Sequence, residues 1–249
     1  MADRFFSRSS DVRWSDVVKT CLRLLAFRST QAELIQLKWK HLIFGIGCTW
    51  IVGIGRYWDN PRVAWPQHLG LGSVVYIFLL STFLWLIVYP LRPEHWPYLG
   101  VLTFVSLVSP PAILYAIPVE KFMSLPAANT ANAWFLAIVA AWRVALLFFF
   151  LRRLGSLPWF SIVAAALLPL TLIVVGLTLL NLEEVVFDLM GGFVDPSGND
   201  TAYGVLVALT WVSVSLFIPV LICYLAAAVS RSAVLRLNTI KSKDNDERE

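Results

Sequence analysis

The sequence predicts an all-α, polytopic integral membrane protein with about six transmembrane helices and both termini in the cytoplasm. Two observations lead there. First, of 249 residues 58% are hydrophobic and only 14% charged, and the mean hydropathy is +0.72. Soluble domains are about 45–50% apolar and about 25% charged. The apolar excess is gathered into runs near the ~20 residues that cross a bilayer. Second, the cations fall on alternate sides of those runs. Arg4, Arg8, Arg13, Lys19, Arg23, Arg28, Lys38, Lys40, Arg92, Arg152, Arg153, Arg231, Arg236, Lys241, Lys243 and Arg248 share one side, while Arg56, Arg62 and Lys121 have the other. Cytoplasmic loops carry the Lys/Arg excess, so the termini are expected inside and the number of spans even.

The expected spans are 41–57, 73–90, 98–118, 134–151, 158–181 and 205–229. They divide the chain into a basic cytoplasmic segment (1–40), a transmembrane domain (41–229) and a charged cytoplasmic tail (230–249). The first 40 residues are charged throughout, with no early apolar stretch before a small-residue cleavage site, so no secretory signal is expected. Cys21, Cys48 and Cys223 are far apart and have no CxxC spacing, which reads as apolar filling rather than a disulfide or metal framework.

In the N-terminal segment, Trp14, Val17, Val18, Cys21, Leu22 and Leu25 recur as one helical stripe, with Arg13, Lys19 and Arg23 off it. A basic amphipathic helix of this kind suits the inner-leaflet surface, so Arg13, Trp14, Lys19 and Arg23 are candidate membrane-surface residues. The competing reading packs the stripe on the protein's own helix ends. Thr30-Gln31-Ala32-Glu33 matches a capping box and predicts a helix that continues into span 1, since no proline intervenes.

Span 1 places Gly45, Thr49 and Gly53 four residues apart on one face, where a neighbouring helix can approach closely. The loop after it, with Trp58, Trp65 and two prolines, suits the outer interface. Asn129 and Asn132 precede span 4 and are expected to cap it. Loop 5–6 carries Glu183, Glu184, Asp188, Asp195 and Asp200 without Lys or Arg. These carboxylates are a candidate cation site, but the calcium-loop spacing is missing, and a hydrated loop is the favoured account of them.

His41, His68 and His95 are dispersed over both faces, and no HExxH, GxSxG or SxxK pattern occurs. Catalytic machinery cannot be assembled from these residues. No cofactor is expected, nor a nucleic-acid partner.

One residue does not fit the pattern. Arg143 lies inside span 4, nine residues before Arg152. At about 1.5 Å per residue it is ~13 Å above the inner boundary. No Asp or Glu lies in any span to pair with it. Pro110 and Pro111 in span 3 lack N–H groups, which frees the carbonyls of Ser106 and Leu107 at matching depth. Arg143 is therefore expected to donate to this broken segment and lock spans 3 and 4 together. The alternative makes Arg143 an anion-binding residue, since intramembrane charges are functional-site candidates. Pro169 and Pro219 could break spans 5 and 6 as well, and Thr210, Ser213 and Ser215 could add hydroxyls. The candidate binding set is Arg143, Ser106, Pro110, Pro111, Thr210 and Ser213.

Two function classes follow. One is a non-enzymatic membrane protein that binds lipid, another membrane protein or a second copy of itself. The other is a small permease for an anionic or neutral solute. Short loops and the absence of a eukaryotic sorting signal favour a bacterial inner membrane.

Overall fold

The computed structural model describes residues 12–58, 65–182 and 200–246, and none of these is in a strand. The α-helices are α1 (Trp14–Leu25), α2 (Gln31–Ile35), α3 (Trp39–Tyr57), α4 (Trp65–His68), α5 (Leu71–Val88), α6 (Tyr98–Leu107), α7 (Leu125–Leu154), α8 (Trp159–Leu179) and α9 (Asp200–Asp246). Short 3-10 segments cover Tyr89–Leu91, Pro110–Ala116 and Val119–Lys121. Five stretches are long and apolar enough to cross a membrane: Leu71–Leu91, Tyr98–Ala116, Pro126–Leu154, Trp159–Leu179 and Val207–Ala233. They mark the chain as an integral membrane protein.

The stretch 41–57 forms a helix, α3, but is not one of those five. Lys40, His41, Arg56 and four glycines dilute its apolar residues. The capping box at Thr30 forms as expected: Thr30 Oγ1 accepts from the Glu33 N–H at 3.3 Å, and the Thr30 N–H donates to Glu33 Oε2 at 2.8 Å. The helix it starts does not continue into α3. It ends at Ile35, and Lys38 is extended, with φ −113° and ψ 174°. There the Lys38 N–H donates to His41 Nδ1 at 3.2 Å. A side chain that takes a backbone donor competes with helix continuation, so the chain restarts without needing a proline.

The central element is α6, whose residues Gly100–Leu107 are all buried. Lipid tails are as apolar as leucine, so helices in a membrane associate by close packing rather than by hiding from water. Close packing is visible here. The rings of Phe104 on α6 and Phe150 on α7 stack at 3.9 Å and 8°. A Cβ on Gly45 of α3 would run into the side chain of Ser106. On the other side of α3, Gly70 takes a left-handed conformation (φ 67°) with its Cα against the Trp50 and Ile54 backbone, where a Cβ would meet the Trp50 carbonyl at 2.7 Å. The small-residue face of α3 thus serves two neighbours, α6 through Gly45 and the α4–α5 turn through Gly53.

Helix α7 starts nine residues before the expected span. Ser124 is its N-cap residue, and Asn129 and Asn132 lie within its first two turns, so they do not cap it. The extended Ser124 followed by Pro126 sets the start, since proline is tolerated in a first turn. Helices α8 and α9 pack along each other, and both run continuously through their prolines, Pro169 and Pro219. Helix α9 has 47 residues. At ~1.5 Å per residue it is far longer than a core of ~30 Å requires.

The middle of α9 is tied to the end of α5 and to the 3-10 segment after it. Tyr224 donates its hydroxyl to the Ile87 carbonyl at 2.6 Å, and Arg231 donates to the Leu91 and Arg92 carbonyls at 3.3 Å each. The Ile87 carbonyl lies in the last turn of α5, and those of Leu91 and Arg92 close the 3-10 segment that follows it, where helical donors run out.

Candidate functional site

The site is the break in α6. An α-helix pairs each carbonyl with the N–H four residues on. Pro110 and Pro111 therefore remove the α-helical donors of the Ser106 and Leu107 carbonyls, as the sequence implies, and the Ser109 N–H takes up the Ser106 carbonyl at 3.3 Å. The structure frees a third. After the prolines the chain tightens to 3-10 pairing, and the Ala112 N–H donates to Ser109 instead of Val108. The Val108 carbonyl is thereby left open.

Each of the three carbonyls finds a partner from a different helix. Thr49 Oγ1 of α3 lies 3.4 Å from the Ser106 carbonyl and 2.7 Å from the Ser109 hydroxyl. The Cys21 thiol of α1 donates to the Leu107 carbonyl at 3.7 Å. Arg143 Nε of α7 donates to the Val108 carbonyl at 3.3 Å. The broken segment is thus a junction that holds α1, α3 and α7 on α6. Free carbonyls in an apolar medium cost several kcal/mol each, which is the physical reason for this convergence.

Arg143 does donate to the broken segment, but to the Val108 carbonyl rather than to the Ser106 or Leu107 carbonyl expected from the sequence. The displacement follows from the 3-10 register, which counting proline N–H groups does not reveal. Around Arg143 lie Tyr76 of α5, Tyr115 of the 3-10 segment and Arg56 of α3, all within electrostatic reach of its guanidinium. The Arg56 guanidinium sits 5.1 Å from the centre of the Tyr115 ring. Sequence reasoning missed Tyr76, Tyr115, Cys21 and Arg56 as members of this site. Tyr115 carries a usable signal, since it lies four residues after Pro111 on the segment the prolines start. The other three reach the site only through tertiary packing.

Several predicted residues fall elsewhere. Ser106 Oγ is spent on the Thr103 carbonyl at 2.8 Å. Thr210 and Ser213 lie on α9, and none of the hydrogen bonds among the described residues links them to Arg143. Since α8 and α9 are unbroken, only one of the three proline-bearing spans is discontinuous. The acidic set Glu183, Glu184, Asp188 and Asp195 lies outside the described residues, and of Asp200 only its backbone place at the start of α9 is described. Among the described residues, no group of three or more His, Cys, Asp or Glu is arranged to hold a metal ion.

The N-terminal stripe is shared between two surroundings. Val17, Cys21 and Leu24 are buried, and Trp142 Nε1 of α7 donates to the Leu25 carbonyl at 3.1 Å. Phe27 meets Phe149 edge-on at 5.9 Å. Trp14, Val18 and Leu22 stay exposed, at 52%, 40% and 61%. Arg13 and Lys19 are exposed beside them. Arg23 is engaged differently: it pairs with Glu33 at 2.9 Å and donates to the Arg28 carbonyl at 3.3 Å, bracing α1 against α2.

Comparison with protein-family models, curated proteins and solved structures yields no match for this chain.

Proposed function

We propose that this chain is a non-enzymatic, multi-pass membrane protein that binds the lipid surface on its cytoplasmic side, in a bacterial inner membrane. In this reading α3 is a sixth span, both termini are cytoplasmic, and α1 lies in the inner interface.

The observation that carries the reading is the exposed half of α1. Trp14, Val18 and Leu22 form an apolar strip on the outer side of a helix whose other side is already anchored in the bundle. Arg13 and Lys19 flank it. An apolar strip with adjacent cations is the combination that inserts into an acyl boundary under anionic headgroups. An α3 span fits its neighbours, because Gly45 and Thr49 pack along α6 and Gly53 against the turn before α5.

Spin labels at positions 16, 18 and 22, in protein reconstituted into phosphatidylglycerol vesicles, test the reading. Labels at 18 and 22 should be relaxed more strongly by oxygen than by a water-soluble nickel complex, and the label at 16 the reverse. Preference for the nickel complex at all three positions would reject the lipid contact. Crosslinking in intact membranes addresses the competing assignment, in which a stoichiometric protein partner covers the same strip. The permease alternative draws its support from the donors that Arg143 does not spend on Val108.

A further inference from the structure

The cations that border α5, α7 and α9 are drawn together at one end of the bundle. The loop after α5 and the turn after α7 are joined through their backbones, where the Glu94 N–H donates to the Gly155 carbonyl at 3.3 Å. Arg92 and Arg153 are each two residues from that bond, at most ~7 Å of chain. Arg231 of α9 reaches the same loop, since its Nε and Nη2 donate to the Leu91 and Arg92 carbonyls at 3.3 Å each. Arg152 precedes Arg153 in the last turn of α7. Arg92, Arg152 and Arg153 are exposed. Among the described residues, none of the four arginines is in an ion pair. Glu94 is the one acidic residue in these two connections.

One of these arginines is held at a backbone cost. Arg92 is left-handed, with φ 48° and ψ 62°. Glycine enters that region without steric penalty, and residues with a Cβ rarely do. A charge bias between the two sides of the membrane accounts for cations at this end of the bundle. It does not require one at a position that favours glycine, nor the bonds that gather four of them.

The surface beside the arginines is aromatic. Tyr89, Trp159 and Phe160 are exposed. Tyr89 lies against Trp85 at 5.2 Å and Trp159 against Phe148 at 5.8 Å, while the Arg153 guanidinium stands 5.7 Å over the Phe149 ring. Helices α5 and α8, whose ends carry these rings, pack on each other. Aromatic side chains gather where membrane meets water, so cations next to them lie at the level of the lipid phosphates. Arginine meets a phosphate through paired N–H groups. A free anion would use the arginines and leave the aromatic flank bare. A phospholipid uses both.

We propose that Arg92, Arg152, Arg153 and Arg231 form a binding surface for the headgroup of an anionic phospholipid, whose acyl chains lie against Tyr89 and Trp159. The proposal rests on the orientation given above, which makes this the cytoplasmic face, but not on the lipid contact of α1. Arg231 has two roles: Nε and Nη2 tie α9 to the loop, and its charge adds to the surface.

The test uses the full chain, delipidated in a neutral detergent and phosphate-free buffer. Thermal unfolding is followed with phosphatidylglycerol, with phosphatidylcholine of the same chains, and with inorganic phosphate, all at equal ionic strength. Phosphatidylglycerol should raise Tm by about 3 °C over the other two. The shift should fall by at least half in Arg92→Gly, which removes the guanidinium and relieves the left-handed backbone, and in the exposed pair Arg152→Gln/Arg153→Gln. It should persist in Trp14→Ser/Leu22→Ser, which weakens the α1 contact instead. The proposal is overturned if phosphatidylglycerol gives no shift beyond phosphatidylcholine, or if inorganic phosphate gives the same shift. It is also overturned if the full shift survives in both arginine variants, or is lost only in the α1 variant. The spin labels on α1 judge that contact separately, so either reading can fail alone.

Discussion

Arg143 Nε and the Val108 carbonyl, 3.3 Å apart, join the middle of α7 to the point where α6 stops being an α-helix. Hydrogen bonds from charged groups contribute about 1.5–3 kcal/mol, and removing the donor also leaves a bare carbonyl. Opposing this, an Arg→Leu change relieves the cost of holding a charge in an apolar medium. Since the guanidinium already has its partner in the fold, the first effect wins. Arg143→Leu should destabilise the protein by about 1–2 kcal/mol in detergent, read as a lower Tm. Arg143→Lys should lose less, because the ammonium still reaches a carbonyl. Unchanged Tm in Arg143→Leu would show that the bond contributes nothing to stability.

Thr49 offers a cleaner measure of the same junction, because no charge changes. Its hydroxyl meets the Ser109 hydroxyl at 2.7 Å, the Gly45 carbonyl at 2.9 Å and the Ser106 carbonyl at 3.4 Å. Thr49→Val keeps the shape and removes all three contacts. Interhelical hydrogen bonds in membranes average ~0.6 kcal/mol and reach about 1.7. A buried polar cluster lies toward the upper end, so a loss of about 1 kcal/mol is expected. In a double-mutant cycle with Ser109→Ala, the two changes should be non-additive by roughly 0.5–1 kcal/mol. Strict additivity would mean that the two hydroxyls are not coupled.

What the sequence makes legible here is what one strand of reasoning can count. Apolar runs and the cations between them locate α5 through α9, and proline chemistry locates the break in α6. The arginine opposite the break follows from depth alone. Three things escape such counting. The Val108 carbonyl is freed by a change of helix register after the prolines rather than by the prolines themselves. The start of α3 is set by one side-chain bond, from the Lys38 N–H to His41, which no periodicity announces. Cys21 reads as an apolar filler in a surface stripe, yet its thiol closes a carbonyl on a helix 86 residues away. Each of these is decided by tertiary neighbours, which the local pattern does not encode.

Glycine substitutions separate packing from propensity. On Gly45 a new Cβ would collide with the Ser106 side chain, whose hydroxyl is committed to Thr103. On Gly47, one residue past the next position of the same helix, it would meet nothing within 4 Å. Overpacking typically costs about 1–3 kcal/mol, whereas Gly→Ala in an open helical position gains up to about 1 kcal/mol. Gly45→Ala should therefore lower Tm by several degrees, and Gly47→Ala should leave it unchanged or raise it. Equal effects from the two would show that α3 and α6 are not in contact as described.

Cys21 provides a pH-dependent test of whether α1 is docked. Burial, with Cys48 nearby as a second cause, pushes its thiol from 9.0 to about 11. The protonated thiol is also the form that donates to Leu107. The folded value lies above the unfolded one, so the contribution to stability is complete below pH 9 and is lost as pH rises toward 11. Stability should accordingly fall between those values, and Cys21→Ala should flatten that part of the profile while lowering stability at neutral pH. Reactivity gives an independent reading. With Cys48→Ala and Cys223→Ala as background, a shift of this size leaves about 100-fold less thiolate at neutral pH, and burial slows access further. N-ethylmaleimide should then label Cys21 at least about 100-fold more slowly in the folded protein than in the denatured chain. Labelling at the denatured rate would mean that α1 spends its time away from the α6 junction, and the thiol bond to Leu107 would have to be withdrawn.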